Sequence, residues 1–261
     1  MSMVPVAEAR GVSMVFEGAH ALRDVSVPVR PGRITAICGA NGSGKSTLLK
    51  CLAGLEMPTS GVVTLADRPL VDLSRRDIAR QLAVLSQNPE TPTGLNVEEL
   101  VEQGRYPHRR LFTRWSSQDQ LICNDAMRMT DVDGIAASLL GRLSGGQRQR
   151  AWIAMTLAQS ADILLLDEPT TYLDIAHQLD ILDLLRRLVR EQGKTIVAVL
   201  HDINHAARFA DHICLLKDGR IIASGSAQKV IRPDHLKSAF SIEAAILHDP
   251  RDGVPLCVAR R

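Results

Sequence analysis

Aromatic residues are scarce in this chain, which has 261 residues of which 3% are Phe, Trp or Tyr. Few aromatic rings leave little material for a platform on which nucleic-acid bases stack. The sequence also lacks an excess of one charge, because 31 basic and 29 acidic residues leave a formal net charge of +2. Without a basic surplus there is no reason to expect nucleic-acid binding, and we predict none.

Cysteines are also few. There are five, an odd number, and they are scattered without any C-x-x-C pair. This pattern argues against a disulfide framework or a zinc site and fits free thiols in a reducing compartment.

Long apolar runs are missing as well. The longest, at 163–166 and 196–200, have the length of buried strands and not the ~20 residues that cross a bilayer. The start of the chain does not read as a signal peptide, since Glu8 and Arg10 interrupt it. We therefore expect a soluble protein that reaches a membrane only if another chain holds it there.

What the sequence does contain is a glycine loop (residues 39–47) between a short apolar strand at 34–38 and a helix at 46–52. Residues 39–46 satisfy G-x-x-x-x-G-K-[ST], which in a strand–loop–helix context predicts a nucleoside triphosphate site. Backbone amides would surround the β-phosphate, the lysine would contact the β- and γ-phosphates, and the serine hydroxyl would bind Mg²⁺. The candidate residues are Gly39, Asn41, Gly42, Ser43, Gly44, Lys45, Ser46 and Thr47. The loop alone leaves kinases, GTPases and motors open.

Two acidic residues narrow the choice among these classes of nucleotide-binding protein. The run at 163–166 ends in Asp167 and Glu168, at the edge where parallel strands bind ligands. Asp167 is suited to hold Mg²⁺, and Glu168 to act as the general base on the attacking water. The alternative is a pair of solvated acids that end a strand.

A third strand, predicted at 195–200, ends in His201. It follows a helix predicted at 177–193, so His201 would lie at the same sheet edge as Glu168. An imidazole there can hydrogen-bond the γ-phosphate or the attacking water, although a histidine at a strand end is often structural.

The LSGGQ segment (residues 143–147) begins another predicted helix. A capping box explains Ser144 and Gln147 but not Gly145 and Gly146, since each glycine costs roughly 1 kcal/mol against alanine inside a helix. Glycines and exposed amides at a helix start favour close approach of an anion.

With these residues in place, the chain resembles the nucleotide-binding subunit of ATP-binding cassette (ABC) transporters along nearly its whole length. The resemblance implies that Phe16 stacks on adenine, that Gln87 meets Mg²⁺ and the membrane partner, and that Asp174 is the acid of the D-loop. It implies that His201 is the switch histidine, and that Ser144, Gly145, Gly146 and Gln147 close on ATP held by a second subunit.

Partners and fold follow from the same resemblance. The implied assembly is a head-to-tail homodimer with two shared ATP sites, docked on polytopic permease subunits at the cytoplasmic face of the cell membrane and served indirectly by a substrate-binding protein. The implied fold is an α/β P-loop core with a mixed sheet, an antiparallel β region and an inserted helical subdomain. We expect the core at 1–87 and 151–235, the helical subdomain at 88–150 and a C-terminal extension at 236–261, all within one domain, 1–261.

Local signals predict further elements. Residues 1–30 would supply antiparallel strands under the adenine. The segments Asn96–Glu99 and Ser117–Gln120 both read as N-caps followed by helix formers, which agrees with a helical subdomain. Residues 213–225 predict a hairpin that turns at Asp218 and Gly219.

The subtype is a finer inference. The segments at 97–108 and 170–182 resemble those of ATP-binding subunits from importers of iron–siderophore, haem and cobalamin complexes. The resemblance is closest to the siderophore group. Haem or cobalamin uptake remains an alternative, as does a non-transport ABC-type ATPase, although the chain has neither a long coiled-coil insertion nor a second cassette. An unrelated P-loop kinase would have no use for the LSGGQ segment.

Overall fold

The structure, a computed structural model, describes residues 4–87, 89, 93–109 and 115–260. Its strands and helices run in chain order as β1 (Ala7–Phe16), β2 (Ala19–Val29), β3 (Ile34–Gly39), α1 (Lys45–Leu52), β4 (Ser60–Leu65), β5 (Arg68–Pro69), α2 (Arg75–Gln81), β6 (Leu82–Leu85), α3 (Val97–Gln103), α4 (Ser117–Met129), α5 (Gly145–Ala158), β7 (Ile163–Asp167), α6 (Ile175–Gln192), β8 (Thr195–Val199), α7 (Ile203–Phe209), β9 (His212–Lys217), β10 (Arg220–Gly225), α8 (Ala227–Val230), α9 (Pro233–Phe240), β11 (Glu243–His248) and β12 (Pro255–Arg260).

The chain divides into two compact units. The sheet unit comprises residues 1–73 and 186–261, and the helical unit comprises residues 74–185. The predicted boundaries of a helical subdomain at 88–150 and of a C-terminal extension at 236–261 stay predictions.

The sheet unit is built on β3. This strand runs parallel to β8 on one side and to β9 on the other, and β9 pairs antiparallel with β10, so the sheet is mixed as predicted. Every residue of β3 is buried, as expected for a strand with neighbours on both edges and cover on both faces. A second, antiparallel sheet has the order β2-β1-β4-β5 and confirms the predicted antiparallel start of the chain.

The hairpin of β9 and β10 turns at the predicted dipeptide. Asp218 and Gly219 both have positive φ, 47° and 73°, as a two-residue turn of the primed kind requires. The turn also braces the glycine loop, because the Gly219 amide donates to the Ser43 carbonyl oxygen at 3.1 Å.

In the helical unit, α3, α4 and α5 pack on one another, and β6 pairs in parallel with β7. The predicted cap at Asn96 is confirmed: its side chain accepts from the Glu99 amide and the Glu99 carboxylate returns to the Asn96 amide.

The predicted cap at Ser117 and Gln120 is wrong by one residue. The capping residue of α4 is Ser116, whose hydroxyl accepts from the Asp119 amide while the Asp119 carboxylate receives the Ser116 amide and hydroxyl. A carboxylate that also pairs with Arg105 at 2.9 Å is the better acceptor, so the helix starts one position earlier.

The C-terminal segment is a hairpin of β11 and β12 that attaches to α7. The Asn204 side chain donates to the Cys257 carbonyl oxygen at 3.1 Å and accepts from the Cys257 amide at 2.7 Å. Beside it, the buried carboxylate of Asp249 pairs with Arg208 of α7 and with Arg251 of its own turn. The hairpin is therefore fixed to the helix that follows His201.

Within the described part of the chain, no helix combines the length and the apolar character needed to span a membrane.

Candidate nucleotide site

The glycine loop connects the end of β3 to the start of α1, as the sequence predicts. It lies against the backbone of β9, since a Cβ added at Gly39 would sit 2.3 Å from the Leu216 carbonyl oxygen. Gly39 also has a φ of 150°, and both constraints require glycine there. The first residue of the motif is therefore fixed by the fold as well as by any ligand.

Two polar side chains of the loop, those of Lys45 and Ser43, are buried. Lys45 is 5% exposed, and its ammonium donates to the carbonyl oxygens of Gly39 and Ala40 at 3.0 and 2.9 Å. Ser43 is 4% exposed, and its hydroxyl has no hydrogen-bond partner among the residues that the structure describes. A buried hydroxyl left unpaired costs free energy, which an oxyanion in the loop would recover. The donor set of the loop therefore fits a phosphate group.

His201 lies at the same sheet edge as the glycine loop. β8 runs parallel to β3 with Val199 opposite Ile37, and the Leu200 amide donates to the Ile37 carbonyl oxygen at 3.1 Å. The next residue, His201, is exposed. Asp202 then caps α7 by accepting from the amides of Asn204 and His205.

Phe16 ends β1 in the same unit and is 43% exposed. A phenyl ring with this exposure offers a free face, which is the property that stacking on a base requires.

The helical unit brings together two of the predicted catalytic residues. Gln87 follows β6 and Glu168 follows β7, and these strands are parallel with Leu85 opposite Leu166. The Gln87 side-chain amide donates to Oε2 of Glu168 at 2.6 Å. Asp167 and Glu168 are both buried, with 6% and 7% exposure.

Thr171, which the sequence pattern does not single out, contacts the same carboxylate. Its hydroxyl donates to Oε2 of Glu168 at 3.0 Å, and its amide donates to the Glu168 carbonyl oxygen at 3.2 Å. Glu168 itself has a φ of 53°, in the left-handed region that non-glycine residues seldom adopt. Such strain is typical of functional positions. A hydroxyl residue three places after the acid is the only signal that could have pointed to this turn.

The LSGGQ segment forms the predicted capping box. The Ser144 hydroxyl accepts from the Gln147 amide at 3.2 Å, and the Gln147 side chain accepts from the Ser144 amide at 3.1 Å. Ser144, Gly145 and Gln147 are exposed at the start of α5, whereas Gly146 is buried.

Gly146 faces a side chain of its own chain. A Cβ added there would lie 2.5 Å from Cδ2 and 3.0 Å from Cγ of His177. His177 is held in place by Asp174, whose carboxylate accepts from the backbone amide of His177 at 2.9 Å and pairs with Nδ1 at 2.8 Å. The bond from the His177 amide is the main reason that the pKa of Asp174 lies below its usual value. Packing against His177 therefore favours glycine at position 146, in addition to the proposed approach of a ligand.

An open groove of about 340 Å³ runs past these elements of the helical unit. It is lined by Gln87, Gly145, Trp152, Thr171 and Tyr172, among others. Tyr172 is 83% exposed and has a φ of 63°. The groove therefore joins the glutamine, the start of α5 and the turn after Glu168 on one surface.

Comparison with known proteins gives a consistent result. The family model described as "ABC transporter" matches residues 22–171. The iron(3+)-hydroxamate import ATP-binding protein FhuC of Bacillus subtilis is 48% identical over 91% of this chain and 88% of its own length. The ferric enterobactin transport ATP-binding protein FepC of Escherichia coli is 44% identical over 97% of this chain and 94% of its own.

A solved structure agrees in fold. The ATP-binding cassette MJ0796, in a dimeric post-hydrolysis state with bound ADP and Pi, is 30% identical, with a TM-score of 0.74 over 84% of this chain and 98% of that one. The family model covers more than half of the chain, and the relatives match it along nearly their whole length. The chain therefore belongs to the ABC transporter family, and it is one of that family's ATP-binding, ATP-hydrolysing cassettes.

Proposed function

We propose that this chain is the energy-coupling ATPase of an importer for iron–siderophore complexes. The observation that carries the proposal is the 48% identity, over nearly the full length of both chains, to a protein named for import of iron(3+)-hydroxamate. A second relative is named for transport of ferric enterobactin, so two different ferric ligands occur among the similar proteins.

In this proposal the glycine loop holds the phosphates of ATP. The Lys45 ammonium, now bonded to two loop carbonyl oxygens, turns to the β- and γ-phosphates, and the Ser43 hydroxyl gains an acceptor. Thr47 serves the α-phosphate side, and the ring of Phe16 stacks on adenine. The residues proposed to hold Mg²⁺ are Ser46, Asp167 and Gln87. When bound, the ion neutralises phosphate charge.

Glu168 is the proposed general base. Gln87 and Thr171 both donate to Oε2 of its carboxylate, which fixes the orientation of the group that accepts a proton from water. Burial at 7% exposure keeps bulk water from competing for the carboxylate. His201, exposed at the edge of the sheet unit, contributes a hydrogen bond to the γ-phosphate or to the water.

The active form is a head-to-tail homodimer on permease subunits at the cytoplasmic face of the membrane, with a binding protein that delivers the solute. The exposed Ser144, Gly145 and Gln147 of one subunit cover the glycine loop of the other, and Asp174 belongs to the same contact.

Uptake assays test which solute the importer carries. Deletion of the gene in the source organism should abolish uptake of a ferric hydroxamate or a ferric catecholate, the wild-type gene should restore it, and the Glu168→Gln gene should not. Loss of haem or cobalamin uptake alone would replace the siderophore assignment. Normal uptake of all four would remove the transport role.

Mixing two inactive variants tests the shared sites. Gly145→Asp is preferred to a change at Gly146, because a Cβ at Gly145 comes no closer than 3.4 Å to Leu173. A mixed dimer of Gly145→Asp and Lys45→Ala subunits holds one doubly damaged site and one intact site, so the mixture should recover ATP hydrolysis that neither variant shows alone. Hydrolysis by Gly145→Asp alone at the wild-type rate would contradict the dimer model.

A further inference from the structure

A pocket of about 610 Å³ opens in the sheet unit away from the glycine loop. It lies at the beginning of β3 and β9, where Thr35 is opposite His212, whereas the glycine loop begins at their far end, where Gly39 is opposite Leu216. Four residues of strand, about 13 Å at 3.3 Å each, separate the two places. A ligand in this pocket would therefore not occupy the nucleotide site.

Basic side chains outnumber acidic ones in the lining. Arg30, Arg33 and Lys229 all border the pocket, and Asp211 is the one carboxylate among its lining residues. Asp211 is already engaged, since its oxygens accept from Arg33 at 3.1 Å and from the Ile34 amide at 2.8 Å.

The side chains of Arg30 and Lys229 have no hydrogen bond or ion pair with any residue in the described ranges. The Lys229 stem packs on Gly225, where a Cβ would come within 3.2 Å of its Cδ. Two cationic side chains thus line one cavity without an ion-pair partner among the described residues, which is the arrangement that attracts an anion.

His212 also lines the pocket. Its burial and the charge of Arg30 lower the pKa of the ring, which favours its uncharged form. Nε2 of His212 pairs with the Ser224 hydroxyl at 2.8 Å, and Ser226 supplies a second hydroxyl to the lining. Guanidinium, ammonium and hydroxyl donors together are the groups that recognise phosphate and carboxylate oxygens.

We propose that this pocket binds a small anion with two or more negative charges, borne by phosphate or carboxylate groups. Three basic side chains against one engaged carboxylate leave the site with a surplus of two positive charges, which matches such a ligand. A volume of this size accommodates a molecule larger than inorganic phosphate.

Calorimetric titration tests the site. The full chain, with its nucleotide site saturated by ADP, is titrated with pyrophosphate and, separately, with citrate at constant ionic strength. We expect one of them or both to bind saturably with one molecule per chain: pyrophosphate alone indicates phosphate recognition, citrate alone carboxylate recognition, and both together recognition by charge.

Two double variants test whether the anion binds in this pocket. Arg30→Ala with Lys229→Ala should weaken binding roughly tenfold or more, since two charge-assisted contacts are lost. Arg220→Ala with Lys237→Ala, which removes two basic residues of the same unit outside the pocket, should change it by less than about twofold. Both pairs are on exposed side chains, and an unchanged thermal midpoint verifies folding. Absence of binding to the wild type, or equal weakening in both double variants, would overturn the proposal.

Discussion

The side-chain amide of Gln87 donates a 2.6 Å hydrogen bond to the carboxylate of Glu168, 81 residues further along the chain. The two residues meet because β6 and β7 are parallel neighbours, so the loops that leave them start at the same edge. This contact links the glutamine proposed to face the permease with the carboxylate proposed to activate water. Under the proposed function, this contact connects the membrane partner directly to the residue that activates water.

Replacement of Glu168 by Gln should leave ATP binding intact and reduce hydrolysis by roughly 10²–10⁴, the usual range for loss of a general base. The amide oxygen can still accept from Gln87 and Thr171, so the turn should keep its structure. Single-turnover hydrolysis and a direct nucleotide-binding assay measure the two effects. Turnover near the wild-type rate would remove Glu168 from this role.

Thr171→Val should lower hydrolysis by roughly 10- to 150-fold, because one hydrogen bond to a charged group contributes about 1.5–3 kcal/mol. Thr171→Ser keeps the hydroxyl and is the matched control, which should retain most of the rate. Nucleotide affinity should not change in either variant, since Thr171 acts through Glu168. Equal rates for the Val and Ser variants would show that the hydroxyl does not position the carboxylate.

Lys45→Ala should weaken ATP binding itself, because it removes the loop's buried cation. Lys50→Ala, an exposed lysine of the same helix, is the control and should bind ATP normally. Equilibrium titration with a fluorescent ATP analogue compares the two. Equal affinities would contradict the assignment of the glycine loop.

Gly146→Ala should reduce the free energy of unfolding by about 1–3 kcal/mol, the usual cost of overpacking. The added methyl group meets the ring of His177, which Asp174 holds from its other side. Gly145→Ala has ordinary contact distances and should not destabilise the chain. Urea unfolding checks both, and adding His177→Ala to Gly146→Ala should restore stability. Failure of that rescue would show that the strain lies elsewhere.

Asp249→Asn should destabilise the C-terminal hairpin in a pH-dependent way. Hydrogen bonds and charge from Arg251, with the charge of Arg208, hold the pKa of this carboxyl well below its usual range. A lowered pKa contributes stability above the unfolded-state value, about 3.9, and this contribution is lost as the pH falls below it. The difference between wild type and variant should therefore be large at neutral pH and shrink below about pH 4.

Denaturant unfolding at several pH values measures this difference. Asp252→Asn in the same turn is the control, because its side chain accepts a hydrogen bond from the backbone amide of Val254 and pairs with no arginine of the described residues. A difference that does not depend on pH would show that the two arginines do not stabilise the ionised form.

Local sequence signals predict much of the fold and of the candidate site. The apolar run that becomes β3, the glycine loop and the Asp218–Gly219 turn depend on near neighbours and are confirmed. The Ser144 box is also local and is confirmed, whereas the cap of α4 was misplaced because Ser116 and Ser117 are equivalent until Asp119 and Arg105 are known to pair.

Long-range packing could not be predicted in this way. Gly146 meets His177, which is 31 residues distant, and no spacing rule connects them. The docking of the C-terminal hairpin on α7 rests on one asparagine and a backbone segment 53 residues away. Thr171 contacts Glu168 in a turn whose shape depends on the unusual φ of Glu168. Each of these contacts depends on the three-dimensional path of the chain.

Because the hairpin is attached to α7, a dye on the hairpin would report on the position of that helix. Cys257 is partly exposed, whereas Cys38, Cys51, Cys123 and Cys214 are buried. Burial raises the pKa of those four thiols to between about 11 and about 12, which suppresses their reaction with maleimides. A maleimide dye would therefore label Cys257 first, without any engineered cysteine. Because the backbone of Cys257 is bonded to Asn204, the dye would sit beside the helix that begins two residues after His201 and could follow its movement during turnover.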